Sequence, residues 1–377
     1  MHRAHVLCGL DNLSTKADLL KGQRLGLITH PCGYDRNLVS SIDILYERFD
    51  LRALFGCEHG IRGDVQDALP IGTDTDEKTG LPIYSLYGET RVPTEAMLNE
   101  IDTMVSDLQD VGARFYTYIY SMAYAMQACA KAGKRFVVLD RINPIGGNVV
   151  RGTMLDEAFH SFVGEYAVPT RYALTIGEFA LFVKEHLSLD LDLTVVPLSG
   201  WKREMLWRDT DAVWTPPSPN MPTPETALVY TGTCIFEGTN LSEGRGTTTP
   251  FSLIGAPYID ADKLKARMDQ QGLKDMGFLP ARFVPTFSKW EGEACHGLRI
   301  FCLRPDCDAF EAGLILLETV FDMYPNEAQF LDGTDATLAR LLGTDDFPRK
   351  KDARTLIREH AEKTREFARL KTRFHLY

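Results

Sequence analysis

Strand-like and helix-like segments alternate through the first half of this 377-residue chain. Short apolar runs bounded by glycine, proline or charged residues predict strands, whereas apolar residues repeated every three or four positions predict helices. Such alternation is typical of an α/β fold, a mostly parallel sheet with helices on both faces, because parallel strands need a crossover connection. The pattern predicts strands at 23–29, 51–55, 82–87, 114–120, 135–139 and 193–197, and helices at 37–48, 94–108, 122–132 and 175–187.

The second half of the chain has a different pattern. A proline-rich crossover occupies 198–225, and its many prolines fix an extended path. A region rich in glycine and threonine follows at 232–255, and a basic amphipathic helix is predicted at 352–374. This change of pattern predicts a second structural region after the crossover.

Composition excludes several classes of protein. The chain has 41 Lys and Arg against 52 Asp and Glu, a formal net charge of −11, which argues against nucleic acid as the main partner. No apolar run approaches the roughly 18 residues that a membrane-spanning helix needs. The apolar stretch near the N-terminus is too short for a signal peptide, so we expect a cytoplasmic protein.

The sequence gives no sign of a metal or cofactor. The eight cysteines are scattered without the paired spacing of zinc sites or disulfide frameworks. No glycine-rich dinucleotide motif follows the first predicted strand, and neither a Walker A motif nor a zinc-protease motif occurs. We therefore expect catalysis or binding by side chains alone.

Glu58 is the strongest candidate for a catalytic residue. It follows the predicted strand 51–55, at the edge of a parallel sheet where ligands collect, and has His59 and Arg62 as neighbours. A carboxyl group in such a place can be tuned as a general acid or base. Alternatively, Glu58 simply pairs with Arg62 or caps a helix, and the motif alone favours neither interpretation.

A second group of polar residues lies between two further predicted elements. Asp110 is interpreted as a local turn former and Gly112 as a helix C-cap, or both belong to a binding turn. Tyr116 lies in the predicted strand 114–120, where core packing is favoured over binding.

A third group follows the predicted strand 135–139. Asp140, Arg141 and Asn143 precede a proline, and Asp and Asn side chains commonly hold the hydroxyl pairs of sugars. The alternative is a simple Asx turn.

The segment 236–251 is the densest in polar residues. Glu237, Glu243 and Arg245 lie within it, the arginine stands between two glycines, and four hydroxyl residues surround it. A solvated loop can have this composition, but a guanidinium and backbone N–H groups can also converge on an anion there. We favour the binding interpretation.

Taken together, the motifs of this chain resemble one family. The NamZ-type exo-β-N-acetylmuramidases share these stretches in the same order from about Gly9 to Tyr377. The resemblance implies a glycoside hydrolase that removes N-acetylmuramic acid from the non-reducing end of peptidoglycan fragments. It also implies a Rossmann-like domain at 1–224 and a smaller α+β domain at 225–377, with the cleft between them. The motifs are 58–63, 107–118, 139–144, 217–222 and 236–251.

The resemblance also suggests roles for residues. It implies that Glu58 is catalytic, and we predict that it is the general acid, with Glu243, Glu237 or Asp140 as the second carboxyl in that order. A glycosidase normally uses two such groups. The lactyl carboxylate of the sugar needs a cation. Candidate cations are Arg245, Arg62 and Arg141, and further binding residues are His59, Tyr116, Asn143, Asn220 and Asn240.

The chain departs from the family pattern at two positions. Tyr172 stands where relatives usually have histidine, and Ile142 where they have proline, so the substrate can differ in detail. Two other functions stay open from the sequence: a muropeptide-binding protein without activity, and a cofactor-dependent enzyme that modifies sugars. The missing phosphate-binding loop disfavours the second.

Overall fold

The structure is a computed structural model that describes residues 3–58, 60–62, 74–88, 90–331 and 333–377. His59, a predicted binding residue, lies outside these ranges. The strands are β1 Arg24–Thr29, β2 Asp50–Gly56, β3 Asp74–Thr75, β4 Pro82–Ser85, β5 Thr103–Asp107, β6 Arg135–Leu139, β7 Arg151–Met154, β8 Pro169–Arg171, β9 Leu193–Val196, β10 Leu253–Ala256, β11 Met276–Phe283 and β12 Cys295–Cys302.

Helices connect most of these strands. The α-helices are α1 Gly9–Asn12, α2 Ser41–Arg48, α3 Glu95–Leu98, α4 Tyr118–Lys131, α5 Ile176–His186, α6 Pro224–Thr233, α7 Ala261–Asp269, α8 Ala309–Met323, α9 Ala336–Leu342 and α10 Ala353–Leu370. Short 3-10 helices are Leu13–Leu19, Glu157–Phe159, Trp207–Asp209, Cys234–Gly238 and Lys371–Phe374.

The main sheet confirms the predicted α/β fold. Within the described residues its strand order is β3-β4-β2-β1-β5-β6-β9, and every neighbouring pair is parallel except β3 with β4. The carboxyl ends of β2, β1, β5 and β6 therefore lie side by side. The motifs that follow these strands meet at one edge of the sheet.

Alternate residues of the strands face two different hydrophobic clusters. Leu27 and Val137 pack with the side that α1 and α2 cover, whereas Ile28 and Val138 pack with the side of α4 and α5. This is the two-residue period of a strand with both faces buried. Both faces of the sheet carry apolar side chains, so both must be covered by helices.

Two predicted elements are wrong. The predicted helix 94–108 contains only the single turn of α3, and its second half is the buried central strand β5. The predicted strand 114–120 is a turn followed by the start of α4. A short, continuous apolar run fits a buried strand and a buried helix equally well, so periodicity alone could not separate them.

The C-terminal region is built differently. β10, β12 and β11 form a three-stranded antiparallel sheet, and α6 crosses α8 closely. A Cβ atom on Gly232 would lie 1.7 Å from the carbonyl oxygen of Ala309, so only glycine allows this approach. Antiparallel strands with helices form the predicted smaller α+β region. Its boundary at 224/225 stays a prediction.

Candidate active site

Glu58 lies in the turn directly after β2, half-buried. The Thr117 hydroxyl, just before α4, donates a hydrogen bond of 3.1 Å to Glu58 Oε2. Arg62 instead donates from Nε and Nη2 to the Asp76 carboxylate at 2.5 and 2.9 Å, and its Nη2 lies 3.5 Å from Asp43 Oδ1. The hydrogen bond from Arg62 is the main reason why the pKa of Asp76 is lowered to about 2. The alternative that Glu58 is merely paired with Arg62 therefore finds no support, and Arg62 is engaged elsewhere.

An aromatic wall runs from this corner to the C-terminal region. Tyr118 follows Thr117, and its ring lies 4.8 Å from that of Tyr116. Tyr116 also contacts Tyr230 of α6 at 6.3 Å, and Tyr230 contacts Phe251 at 4.6 Å. The Arg245 guanidinium lies 5.1 Å from the centre of the Phe251 ring, a cation–π contact. Tyr116 is buried within this wall, so its first role is packing.

Four charged side chains form a cluster, which we call the acidic cluster: Glu237, Glu243, Arg245 and Lys289. Arg245 Nη2 lies 2.5 Å from Glu237 Oε1, and its Nε lies 3.1 Å from Glu243 Oε1. Lys289 Nζ lies 2.8 Å from Glu243 Oε2. The structure thus unites the three residues predicted in segment 236–251.

Sequence reasoning missed Lys289. It lies after β11, far along the chain from Glu243, in a stretch without any recognisable motif. A lone lysine carries no sequence signal for a binding role, and only the fold brings it to the cluster.

The two carboxylates of the acidic cluster have different surroundings. The side chain of Glu243 is 2% exposed, whereas that of Glu237 is 30% exposed. Partial burial raises the pKa of Glu237 above its ordinary value. Arg245 acts against this increase, and the negative charge of Glu243 adds to it.

Asp140 belongs to a structural network and not to a cleft. Its fully buried carboxylate accepts hydrogen bonds from the Thr175 hydroxyl, the Gly177 N–H and the Tyr377 hydroxyl, at 2.8, 2.7 and 2.7 Å. Burial raises the pKa of Asp140 to about 6. The carboxylate ties the C-terminal residue to the sheet, and this structural role argues against the predicted role as a catalytic partner.

Arg141 and Asn143 also have buried partners within the protein. Arg141 binds Asp107 through Nε and Nη2 at 2.6 and 2.8 Å, and this pair is almost completely buried. Asn143 donates from its side chain to the Leu174 carbonyl at 2.8 Å and accepts from the Ile145 N–H at 3.1 Å. These contacts give both side chains a structural role, and their predicted binding role stays a prediction.

Asn240 also has a structural role. Its amide donates to the Glu327 carbonyl at 2.8 Å, and its oxygen accepts from the Tyr258 hydroxyl and the Gln329 N–H, both at 3.1 Å. Asn220, in contrast, is half-buried in the turn after Pro217, and the Pro217 carbonyl accepts from the Tyr118 hydroxyl at 2.7 Å. Its predicted binding role stays a prediction.

Tyr172, which replaces the usual histidine, contacts the turn after β5. Its hydroxyl donates to Asp110 Oδ2, which also accepts from the Gly112 N–H at 2.6 Å. Gly112 has φ +80° and packs against Asn143, so it is a turn glycine and not the predicted helix C-cap. Burial raises the pKa of Asp110 to about 6.

The described ranges lack a metal-binding group and a membrane-spanning helix. No group of three His, Cys, Asp or Glu side chains there is arranged to hold a metal ion. No described helix combines the length and the apolar character that crossing a membrane requires.

Family models match nearly the whole chain. Residues 25–225 match the N-terminal part of the exo-β-N-acetylmuramidase NamZ, and residues 228–377 match its C-terminal part. The peptidoglycan β-N-acetylmuramidase NamZ of Bacillus subtilis (strain 168) is 50% identical over 317 residues, which are 83% of this chain and 76% of that protein.

Two crystal structures share the fold. Both are DUF1343 family proteins from Bacteroides fragilis NCTC 9343. One superimposes with a TM-score of 0.92 at 34% identity and covers 100% of both chains. The other has a TM-score of 0.77 at 30% identity and covers 99% of both chains.

Proposed function

This chain belongs to the NamZ exo-β-N-acetylmuramidase family, and on that premise we propose that Glu58 is a catalytic carboxyl of its glycosidase reaction. The enzyme is a glycoside hydrolase that removes N-acetylmuramic acid from peptidoglycan fragments. Its substrate is a small sugar, and we propose non-reducing-end residues of muramic acid disaccharides or muropeptides.

One observation carries the residue assignment. The aromatic wall starts beside the Glu58–Thr117 hydrogen bond and ends at Arg245 in the acidic cluster. Sugar sites combine aromatic surfaces with a few fixed polar groups, and glycosidases add two carboxyls. The aromatic wall has the Glu58 carboxyl at one end and the acidic cluster with Arg245 at the other. This arrangement supports a sugar site with catalytic carboxyls.

Arg245 is the proposed partner of the lactyl carboxylate. All three candidate arginines are paired with carboxylates: Arg62 with Asp76, Arg141 with Asp107, and Arg245 with Glu237 and Glu243. Arg62 and Arg245 are similarly exposed, at 31% and 32%, and Arg245 is preferred because it contacts the end of the aromatic wall and has a planar fork that suits a carboxylate. Its position therefore supports recognition of a sugar that carries a single negative charge.

A chromogenic N-acetylmuramic acid β-glycoside tests this proposal. We expect the native protein to release the chromophore and Glu58→Gln to lose activity by roughly 10²- to 10⁴-fold, the usual contribution of a catalytic acid or base. A thermal unfolding curve of the variant controls for folding. Full activity in Glu58→Gln would show that another residue carries the chemistry.

Two further expectations belong to this proposal. A binding protein without activity would bind the disaccharide and leave it intact, which product analysis by mass spectrometry distinguishes directly. We also propose action in the cytoplasm on imported fragments, and fractionation of cells that express the full-length gene tests that location.

A further inference from the structure

A second aromatic group lies beside Glu58, and with one arginine it forms a surface that we call the platform: Tyr87, Arg91, Tyr124 and Phe162. The Phe162 ring lies 6.0 Å from the ring of Tyr87 and 6.3 Å from that of Tyr124. The Arg91 guanidinium lies 4.1 Å from the centre of the Phe162 ring, a cation–π contact. The three rings are half-buried and Arg91 is exposed, so the platform reaches the protein surface.

Strand pairing places the platform next to Glu58. β4 runs parallel to β2 with Ser85 opposite Gly56, and the Leu86 N–H donates to the Gly56 carbonyl at 2.8 Å. Tyr87 and Glu58 each follow this pair by two residues, and neighbouring strands lie about 4.8 Å apart. The two residues are therefore neighbours at the carboxyl edge of the sheet.

Helix α4 makes a second connection. Thr117, whose hydroxyl binds Glu58, is the N-cap of α4. Tyr120 and Tyr124 follow on one face of this helix, and their rings lie 6.5 and 6.3 Å from Phe162. The platform thus extends from Glu58 along α4, over roughly 10 Å between Thr117 and Tyr124.

The backbone holds Phe162 in place. Ser161 and Gly164 exchange two hydrogen bonds, both of 2.9 Å, so Phe162 lies in a tight turn between β7 and β8. Glycine, proline and small polar residues usually occupy such turns. A fixed aromatic side chain at this position supports a contact surface for a ligand.

Glu58 lies between the platform and the aromatic wall. The wall begins at Tyr118, whose ring lies 5.1 Å from that of His30 after β1, whereas Tyr87 follows β4. In the sheet, β2 separates β4 from β1. A glycosidase binds the sugar that it removes on one side of the cleaved bond and the leaving group on the other. Since Arg245 on the wall side is the proposed partner of the removed sugar, the platform lies on the side of the leaving group.

The polar groups of the platform suit a sugar that is followed by a carboxylate. The Tyr124 hydroxyl donates to Glu165 Oε2 at 2.9 Å, which fixes an acceptor for sugar hydroxyls beside the ring. Arg91 forms no ion pair with a carboxylate of the described residues, whereas Arg245 has two such partners. A guanidinium stacked on an aromatic face keeps its N–H groups available for a carboxylate.

We propose that the platform binds the leaving-group side of a peptidoglycan fragment, with its rings against the first sugar and Arg91 on a carboxylate of the next one. This inference rests on the proposed function and deepens it, because it assigns the second half of the substrate. The carboxylate belongs to the lactyl group of the next muramic acid or to a peptide attached to it. Glycans longer than the disaccharide are then the preferred substrates.

Substrates of increasing length test the platform. The chromogenic glycoside has no leaving sugar, the disaccharide has N-acetylglucosamine there, and a tetrasaccharide adds a second muramic acid. We expect Phe162→Ala to lose at least roughly fivefold in kcat/KM on the disaccharide and the tetrasaccharide, and to keep its activity on the chromogenic glycoside. Arg91→Met should lose at least roughly tenfold on the tetrasaccharide alone. Equal losses on all three substrates, or no loss on any, would overturn the proposal.

Two forms of the tetrasaccharide identify the carboxylate. A loss in Arg91→Met on the peptide-free form assigns the lactyl group, and a loss only on the peptide-bearing form assigns the peptide. The matched variant Arg267→Met removes another exposed arginine, on α7, and should leave both forms unaffected. An equal loss in Arg267→Met would show general attraction by surface charge and would contradict the proposal.

Binding without turnover separates this inference from the proposed function. The leaving group itself, N-acetylglucosaminyl-N-acetylmuramic acid with or without its peptide, is titrated into the protein by calorimetry. Diacetylchitobiose is the matched disaccharide without a carboxylate. We expect the native protein to bind the leaving group at least roughly tenfold more tightly than diacetylchitobiose, and Arg91→Met to bind the two alike.

The two proposals can fail separately. If the native protein hydrolyses no substrate, the proposed function fails, and the titration still decides whether the platform binds a carboxylate-bearing sugar. Equal affinity of the native protein for diacetylchitobiose and for both forms of the leaving group would refute the inference. Thermal unfolding of each variant confirms that it is folded.

Discussion

Two arginine–carboxylate pairs in this protein look alike in the sequence but differ in their surroundings. Arg141 and Asp107 lie at the carboxyl edge of the main sheet, with 8% and 0% of their side chains exposed. Arg245 and Glu237 lie in the C-terminal region, with 32% and 30% exposed. The first pair is enclosed by its own fold, whereas the second is open to a ligand. Access to solvent, and not residue type, separates the two pairs, and only the second has a proposed role in binding.

Breaking the enclosed pair should have the largest effect on stability. Arg141→Met leaves the buried charge of Asp107 without a partner, and we expect a loss of about 3–5 kcal/mol in the free energy of unfolding. Chemical denaturation followed by circular dichroism measures it. The double variant Arg141→Met with Asp107→Leu should recover much of the loss, because no charge then remains unpaired. Equal losses in the single and double variants would contradict this explanation.

Asp110 extends the comparison, because it is a buried carboxyl that contacts no cation among the described residues. Burial raises the pKa of Asp110 from 3.8 to about 6, so between these values the native state binds more protons than the unfolded state. The stabilisation from this group is present below about pH 4 and is lost as the pH rises through about 6. Relative to the native protein, Asp110→Asn should gain up to about 3 kcal/mol between pH 4 and pH 7. Parallel stability curves over this range would refute the prediction.

The open pair should affect recognition more than stability. Arg245→Met removes the proposed partner of the lactyl carboxylate, and a hydrogen bond to a charged group contributes about 1.5–3 kcal/mol. We expect KM for an N-acetylmuramic acid glycoside to rise at least roughly tenfold. The matched N-acetylglucosamine glycoside lacks the lactyl group and is the control. An equal rise in KM for both sugars would remove Arg245 from this role.

An exposed ion pair should have the smallest effect on stability. Lys265 and Asp269 lie 2.5 Å apart, one turn from each other on α7. Such surface pairs contribute about 0.3–0.5 kcal/mol. Lys265→Ala should therefore change the free energy of unfolding by no more than this and leave activity unchanged. A larger change would mean that exposure is a poor guide to the role of a pair in this protein.

The sequence predicted the parallel sheet well because its signals are local. Strands β1, β2, β6 and β9 lie where short apolar runs ended in glycine or polar residues. It failed at β5, because the apolar residues of α3 and β5 fall at three- to four-residue spacing across the boundary between the two elements and so resemble one helix. Only its pairing with β1 and β6 shows that the segment is a strand.

The candidate site was predicted in part for a similar reason. Glu58, Glu237, Glu243 and Arg245 belong to motifs whose residues are close in sequence, so their grouping was visible. Asp140, Arg141 and Asn143 formed an equally suggestive motif, yet their side chains are hydrogen-bonded to buried partners from distant elements. Composition cannot report whether a polar group already has a partner.

The sequence by itself determined the alternation of elements, the edge of the sheet where polar residues gather, and the family. The tertiary structure alone decided which charges remain available, because that depends on partners far apart in the chain. Lys289 contacts Glu243 only through the fold, and it leaves Glu237 as the exposed carboxyl of the cluster. Burial and charge compensation are properties of a packed arrangement, and no single segment of the chain contains them.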